Sequence, residues 1–171
     1  CETFMVTSSI PSEGKSFTTL NLAAVLALAG KRTIVLGADL RRPKLADELK
    51  LSNHVGLSQY LSGMAQKKDV IQAASIEGLY LISGGPMPPN PSELLMRSEM
   101  DLLMTELSDE FDCIVIDTPP MTYVADAFVI TKSVDHTLYV LRPNPTPIPA
   151  PRALDDYYAT GKLNNISILF N

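Results

Sequence analysis

Ser9-Ile10-Pro11-Ser12-Glu13-Gly14-Lys15-Ser16 follows an apolar, strand-forming run at residues 3–7 and opens a helical pattern over 15–29. Strand, short loop and helix in that order match the phosphate-binding pattern G-x-x-x-x-G-K-[ST], with Ser9 in place of the first glycine. The physical logic survives that replacement. Successive backbone N–H groups, backed by the helix N-terminus, form a nest for an anion. Gly14 lets the backbone come close to a phosphate, Lys15 is expected to reach the β- and γ-phosphates, and the Ser16 hydroxyl is expected to ligate Mg²⁺. A lysine at a helix start opposes the helix dipole, a conflict that a bound phosphate removes. Gly30 is expected to end the helix. The nucleotide-contacting set on this reading is Ser9, Ile10, Pro11, Ser12, Glu13, Gly14, Lys15, Ser16 and Phe17. The plain alternative is a Gly-Lys-Ser triplet in an ordinary strand-to-helix turn.

Two further strand ends point to the same place. Residues 111–120, Phe-Asp-Cys-Ile-Val-Ile-Asp-Thr-Pro-Pro, are an apolar strand ending in a carboxylate. Asp117 there has the form of a Walker B acid that holds Mg²⁺ opposite Ser16. The second strand runs into Gly37-Ala38-Asp39-Leu40-Arg41-Arg42-Pro43, where Asp39 is placed to face metal or acceptor and the arginines to face anions. Lys15, Asp39 and Asp117 are thus the candidate catalytic residues, and Ser16, Asp39 and Asp117 the candidate metal ligands.

Working outward, apolar runs at 3–7, 33–36, 79–83, 113–117, 137–142 and 166–170 read as strands. Helical patterns lie between them at 15–29, through a broken stretch over 44–74, and at 92–107, 124–133 and 151–160. Such alternation predicts an α/β fold with a mostly parallel central sheet and helices on both faces, in one domain over residues 1–171. Near-continuous apolar strands fit burial on both faces. The 171 residues are 46% apolar, with 14 basic and 19 acidic side chains and a net charge of −5. That balance excludes a disordered chain and argues against bulk electrostatic binding of nucleic acid. The strongly apolar run 22–29 is far short of the ~20 residues of a membrane span. Cys1 and Cys113 make no disulfide framework, and His54 and His136 no zinc pattern. All 13 prolines follow predicted strand ends, stiffening the rim where ligands bind in such sheets.

The three motifs, together with Gly84-Gly85-Pro86-Met87-Pro88-Pro89-Asn90-Pro91-Ser92-Glu93-Leu94-Leu95 and Gly56-Leu57-Ser58-Gln59-Tyr60-Leu61-Ser62-Gly63, resemble the bacterial tyrosine kinases of capsule and exopolysaccharide biosynthesis. The resemblance runs end to end and implies the P-loop NTPase fold of the deviant-Walker group. Partition-type ATPases of that group carry an early signature lysine where this chain has Ile10, which favours the kinase branch. What the resemblance implies is Mg-ATP-dependent autophosphorylation on a tyrosine-rich tail, the chain's own or a neighbouring subunit's. It also implies a homo-oligomeric ring and a membrane-spanning polysaccharide co-polymerase segment, fused or separate. The domain is then the cytoplasmic part of a bacterial inner-membrane-associated protein. By motif, Lys15 and Ser16 bind ATP and Mg²⁺, Asp117 is the Walker B acid, and Asp39 is the second acid of the family's D-x-D-x-R pattern.

The sequence departs from the family at two points. The first acid of D-x-D-x-R, credited with activating the tyrosine hydroxyl, is Gly37 here. An ATP-gated assembly module with weak or no kinase activity is therefore the alternative, and a partition-type ATPase the third reading. No tyrosine cluster follows the last strand; Tyr139 and the pair Tyr157-Tyr158 are expected to pack, and acceptor tyrosines to lie elsewhere. Met96, Met100 and Met104 recur at helical spacing as one packing face. With no initiator Met and a strand reaching Asn171, the chain is expected to be a piece of a longer protein.

Overall fold

Two of the apolar runs, 33–36 and 113–117, form strands buried along their whole length, and these stand at the centre of the molecule. A computed structural model describes residues 1–121, 130–143, 150–161, 163 and 165–171. Strands β1 (Glu2–Ser8), β2 (Thr33–Gly37), β3 (Ile71–Ala73), β4 (Leu79–Ile82), β5 (Cys113–Asp117), β6 (His136–Leu141) and β7 (Ile166–Phe170) form one sheet in the order β3-β4-β2-β5-β1-β6-β7. Every pairing is parallel except β3 with β4, which is antiparallel. The helices are α1 (Lys15–Leu28), α2 (Leu45–Glu48), α3 (Leu57–Leu61), α4 (Lys67–Val70), α5 (Pro91–Leu95), α6 (Ser98–Glu110) and α7 (Ala150–Ala159).

Alternation along each strand sends neighbouring residues into different cores. Val6, Val35, Val115 and Val140 pack with Ala23 and Ala27 of α1. Met5, Ile34, Leu36, Ile114 and Ile116 pack on the other face with Leu103 and Leu107 of α6. Helices therefore cover both faces. Helix α1 ends as expected: Gly30 takes φ +83°, its N–H bonds the Ala27 carbonyl and the Lys31 N–H bonds that of Leu26, a Schellman closure.

Several expectations need correction. The broken stretch 44–74 is not wholly helical. Its last residues form β3, a three-residue edge strand too short and too half-exposed for periodicity to reveal. The pattern over 92–107 is two helices, α5 and α6, separated at Met96-Arg97. That break explains why Met100 and Met104 are buried while Met96 is 58% exposed: the three do not share one helix. Tyr139 is buried and Tyr157 packs on the core, but Tyr158 is 69% exposed. Most of the expected helix 124–133, together with Tyr123 and Pro145, Pro147 and Pro149, lies outside the described residues. Among the described residues, no helix is long and apolar enough to cross a membrane.

Candidate nucleotide site

Strand order builds the site. The first strand lies between β5 and β6, and β5 separates it from β2, so the C-terminal ends of β1, β2 and β5 are adjacent. Those ends carry the loop 9–16, Asp39 and Asp117. Parallel α/β sheets bind ligands at this edge, where the chain turns back in opposite directions. Gly37 and Asp117 stand opposite each other in the β2–β5 register. The N–H groups of Ala38 and Asp39 both donate to the Asp117 carbonyl, fixing the two acid-bearing segments together.

Lys15 is only 8% exposed, with its Nζ 3.9 Å from Asp39 Oδ2 and 3.9 Å from Asp117 Oδ1. In this structure the two carboxylates offset the unfavourable dipole position of that ammonium. Ser16 Oγ donates to Asp117 Oδ2 at 2.9 Å. Thr19, one helical turn after Lys15, donates to Asp117 Oδ1 at 3.4 Å and to the Lys15 carbonyl at 3.0 Å. Burial pushes the Asp117 carboxyl above its ordinary value; Lys15 and Ser16 oppose that shift and Asp39 adds to it. Asp39 Oδ1 accepts the Arg42 N–H at 3.1 Å, turning the chain after β2.

The loop itself is shaped by unusual backbone. Ser12 and Gly14 take φ +70° and +99°. The φ of Gly14 is one that residues with a Cβ rarely adopt, and a Cβ there would also displace the Asn171 side chain, whose Nδ2 donates to the Glu13 carbonyl at 3.0 Å. The Glu13 carboxylate is turned inward and accepts the Ile10 N–H at 2.8 Å. Ser9 Oγ lies 3.1 Å from the Tyr139 hydroxyl on β6.

A pocket of about 280 Å³ opens above this constellation, lined by Pro11, Ser12, Gly14, Lys15, Ser16, Phe17, Asp39, Arg41, Arg42, Lys44, Glu48 and Pro120. Of the nine loop residues proposed from sequence, Ser9, Ile10 and Glu13 do not line it; they are engaged beneath the loop. Sequence reasoning missed Thr19, Lys44, Glu48, Tyr139, Arg142 and Asn171. Thr19 had a signal, its i+4 spacing from Lys15. The β6 and β7 residues had none, because only strand register brings them to the loop. Among the described residues, no cluster of His, Cys, Asp and Glu forms a metal site by itself. The Ser16 hydroxyl and Asp117 carboxylate nonetheless make an all-oxygen pair of the hard character that Mg²⁺ prefers.

The family model for ParA, described as a NUBPL iron-transfer P-loop NTPase, matches residues 2–149. The kinase domain of Escherichia coli tyrosine kinase ETK superimposes with a TM-score of 0.91 at 36% identity, covering 99% of this chain and 67% of that one. The kinase domain of VpsO gives 0.91 at 31% identity, covering 99% of this chain and 84% of that one. The chain belongs to the bacterial tyrosine-kinase family, within the ParA-type P-loop NTPases. Tyrosine-protein kinase etk of Escherichia coli (strain K12) is 42% identical over 138 residues. That match covers 81% of this chain but only 19% of the relative, so the chain spans about a fifth of it. Lys15, Ser16 and Asp39 line the pocket, Asp117 contacts Lys15 and Ser16 from the end of β5, and Gly37 occupies the strand position directly beside Asp117.

Proposed function

We propose that this chain is an Mg-ATP-dependent protein-tyrosine kinase domain acting in capsule or exopolysaccharide synthesis and export. The observation that carries the reading is the convergence of Lys15, Ser16, Asp39 and Asp117 at adjoining strand ends, in a chain of this family. Lys15 binds the β- and γ-phosphates by exchanging its two carboxylate neighbours for phosphate oxygens. Backbone N–H groups around Gly14 and the start of α1 hold the same anion. Ser16 and Asp117 are the residues that would hold Mg²⁺, and that ion, when bound, neutralises charge on the phosphates. The tyrosine oxygen attacks the γ-phosphorus, the bond from that phosphorus to the oxygen of departing ADP breaks, and the phenolic proton passes to Asp39. A free phenol has a pKa near 10, so a carboxylate beside the acceptor assists the transfer. The acceptor is a tyrosine-rich tail of the full-length protein or its neighbour, in a ring beneath a membrane-spanning polysaccharide co-polymerase segment on the cytoplasmic side. The test is phosphotyrosine mass spectrometry of the full-length protein after incubation with Mg-ATP. Labelling that disappears in Lys15→Ala supports the reading, and undiminished labelling in that variant overturns it.

Gly37 favours a second reading, an ATP-gated assembly module with weak transfer. A Cβ built at Gly37 would stand 3.0 Å from the Gly84 backbone nitrogen and 3.4 Å from the Ile82 carbonyl oxygen. The end of β2 lies close against the turn after β4, and a side chain at 37 fits only if that backbone gives by a few tenths of an ångström. ATP-driven oligomerisation by light scattering, without phosphotyrosine on the wild type, distinguishes this reading from the first.

A further inference from the structure

The phosphate-binding pattern calls for glycine where this chain has Ser9, and the fold supplies a reason. Parallel register places Thr7 opposite Tyr139, and Ser9, two residues on, brings its hydroxyl to the Tyr139 hydroxyl. Tyr139 is 1% exposed and Ser9 7%, and their hydroxyls lie 3.1 Å apart. The contact links residues 130 positions apart. Beside it, the wholly buried Glu13 carboxylate takes the Ile10 N–H, which closes the loop on itself. The outer side of the loop is held from the same edge of the sheet: Arg142 Nη1 donates to the Ser12 carbonyl at 3.4 Å, and Asn171 Nδ2 to the Glu13 carbonyl. The loop is thus fastened by β6 and β7, strands that carry none of the residues assigned to phosphate or metal.

We infer that Tyr139 is a positioning residue for the nucleotide, acting through its hydroxyl contact with Ser9 to hold the phosphate loop in its binding shape. This inference rests on the reading of loop 9–16 as a nucleotide site. Its logic is preorganisation: a loop already fastened loses less conformational freedom when the anion arrives. Without the Ser9–Tyr139 contact the loop's entry loses its side-chain link to β6, and ligand binding has to do more of the ordering.

The experiment is titration of the intact chain with a fluorescent ADP analogue and Mg²⁺, comparing wild type, Tyr139→Phe, Ser9→Ala and the double variant. Phenylalanine keeps the ring in the core and removes only the hydroxyl; Ser9→Ala removes the other partner from the less buried side, should Tyr139→Phe fold poorly. Each single variant is expected to weaken binding on the order of fivefold, the worth of one buried hydrogen bond. The double variant is expected to bind no more weakly than either single variant, because both remove one contact. With ATP as substrate, KM should rise while kcat at saturation stays, a split that general loss of folding does not produce. Single variants within twofold of wild type, or losses that multiply in the double variant, overturn the inference. Wild type that binds no nucleotide overturns the nucleotide-site reading itself, and is recognised as such because it needs no variant.

Discussion

Two loops rise from the same rim of the sheet and are held by opposite means. The loop 9–16 sits over buried charge: Lys15 between Asp39 and Asp117, Glu13 turned inward, and Asp117 raised by burial. The loop 84–91, after β4, is held by neutral groups. Asn53 bonds both the N–H and the carbonyl of Gly85, at 3.0 and 3.2 Å, and Ser58 Oγ donates to the Pro86 carbonyl at 2.8 Å. Gln59 Oε1 accepts the Gly56 N–H at 2.9 Å. Satisfied neutral pairs add stability, whereas charges gathered away from water detract from it unless a ligand completes them. One loop is built for binding and the other for holding. They meet where Gly84 packs against Pro43 and the Gly37 carbonyl, so the second loop fixes the segment that carries Asp39.

The difference should show most strongly in Lys15→Ala, which removes the ammonium lying between Asp39 and Asp117. Nucleotide-dependent phosphotyrosine labelling should fall by at least about a hundredfold. A drop of a few fold would mean that charge is not what the first loop contributes. In the second loop, Gly85→Ala should act on folding instead. Gly85 has φ +75°, and an added Cβ would overlap the Gln59 and Ser58 side chains. Urea unfolding should register a loss of about 3 kcal/mol. Asn53→Ala, which deletes both bonds to Gly85, should lower stability by about 1–2 kcal/mol in the same assay. If it leaves stability intact but abolishes labelling, the division of labour between the loops is wrong.

The smallest effect concerns pH. The folded chain holds the Asp117 proton more tightly than the unfolded chain, because the carboxyl is raised above its ordinary 3.8. Asp117's contribution to stability is thus fully present below that value and is lost as pH rises through the folded-state value. In metal-free buffer, wild type should lose stability relative to Asp117→Asn as pH climbs across this window. Parallel curves for the two proteins would show that burial of the charge is well compensated.

How much of this was legible beforehand depends on whether a residue works through its neighbours in the chain or through strand register. Asp117 ends one apolar run, Asp39 closely follows another, and Lys15 and Ser16 come one short loop after a third; a parallel sheet brings such ends together. They could be read from sequence. Tyr139, Arg142 and Asn171 reach the phosphate loop only because β6 and β7 extend the sheet beyond β1, and no local pattern encodes that order. Strand β3 escaped notice for another reason: Ile71-Gln72-Ala73 is an edge strand, half-buried, with no alternation long enough to detect. The break at Met96-Arg97 is similar, since helical spacing continued across a kink that contains no proline or glycine.

The order of the strands also has a consequence for how the molecule comes into being. Strand β1 precedes the other six strands of the sheet in the chain, yet its partners are β5 and β6, made more than a hundred residues later. As the chain grows, the loop it needs for binding has neither neighbour to rest on until residue 117 has emerged, and its Tyr139 anchor comes later still. Contacts so distant in sequence are slow to form. The phosphate loop is therefore made well before the strands that support it, and its closure waits on contacts more than a hundred residues away.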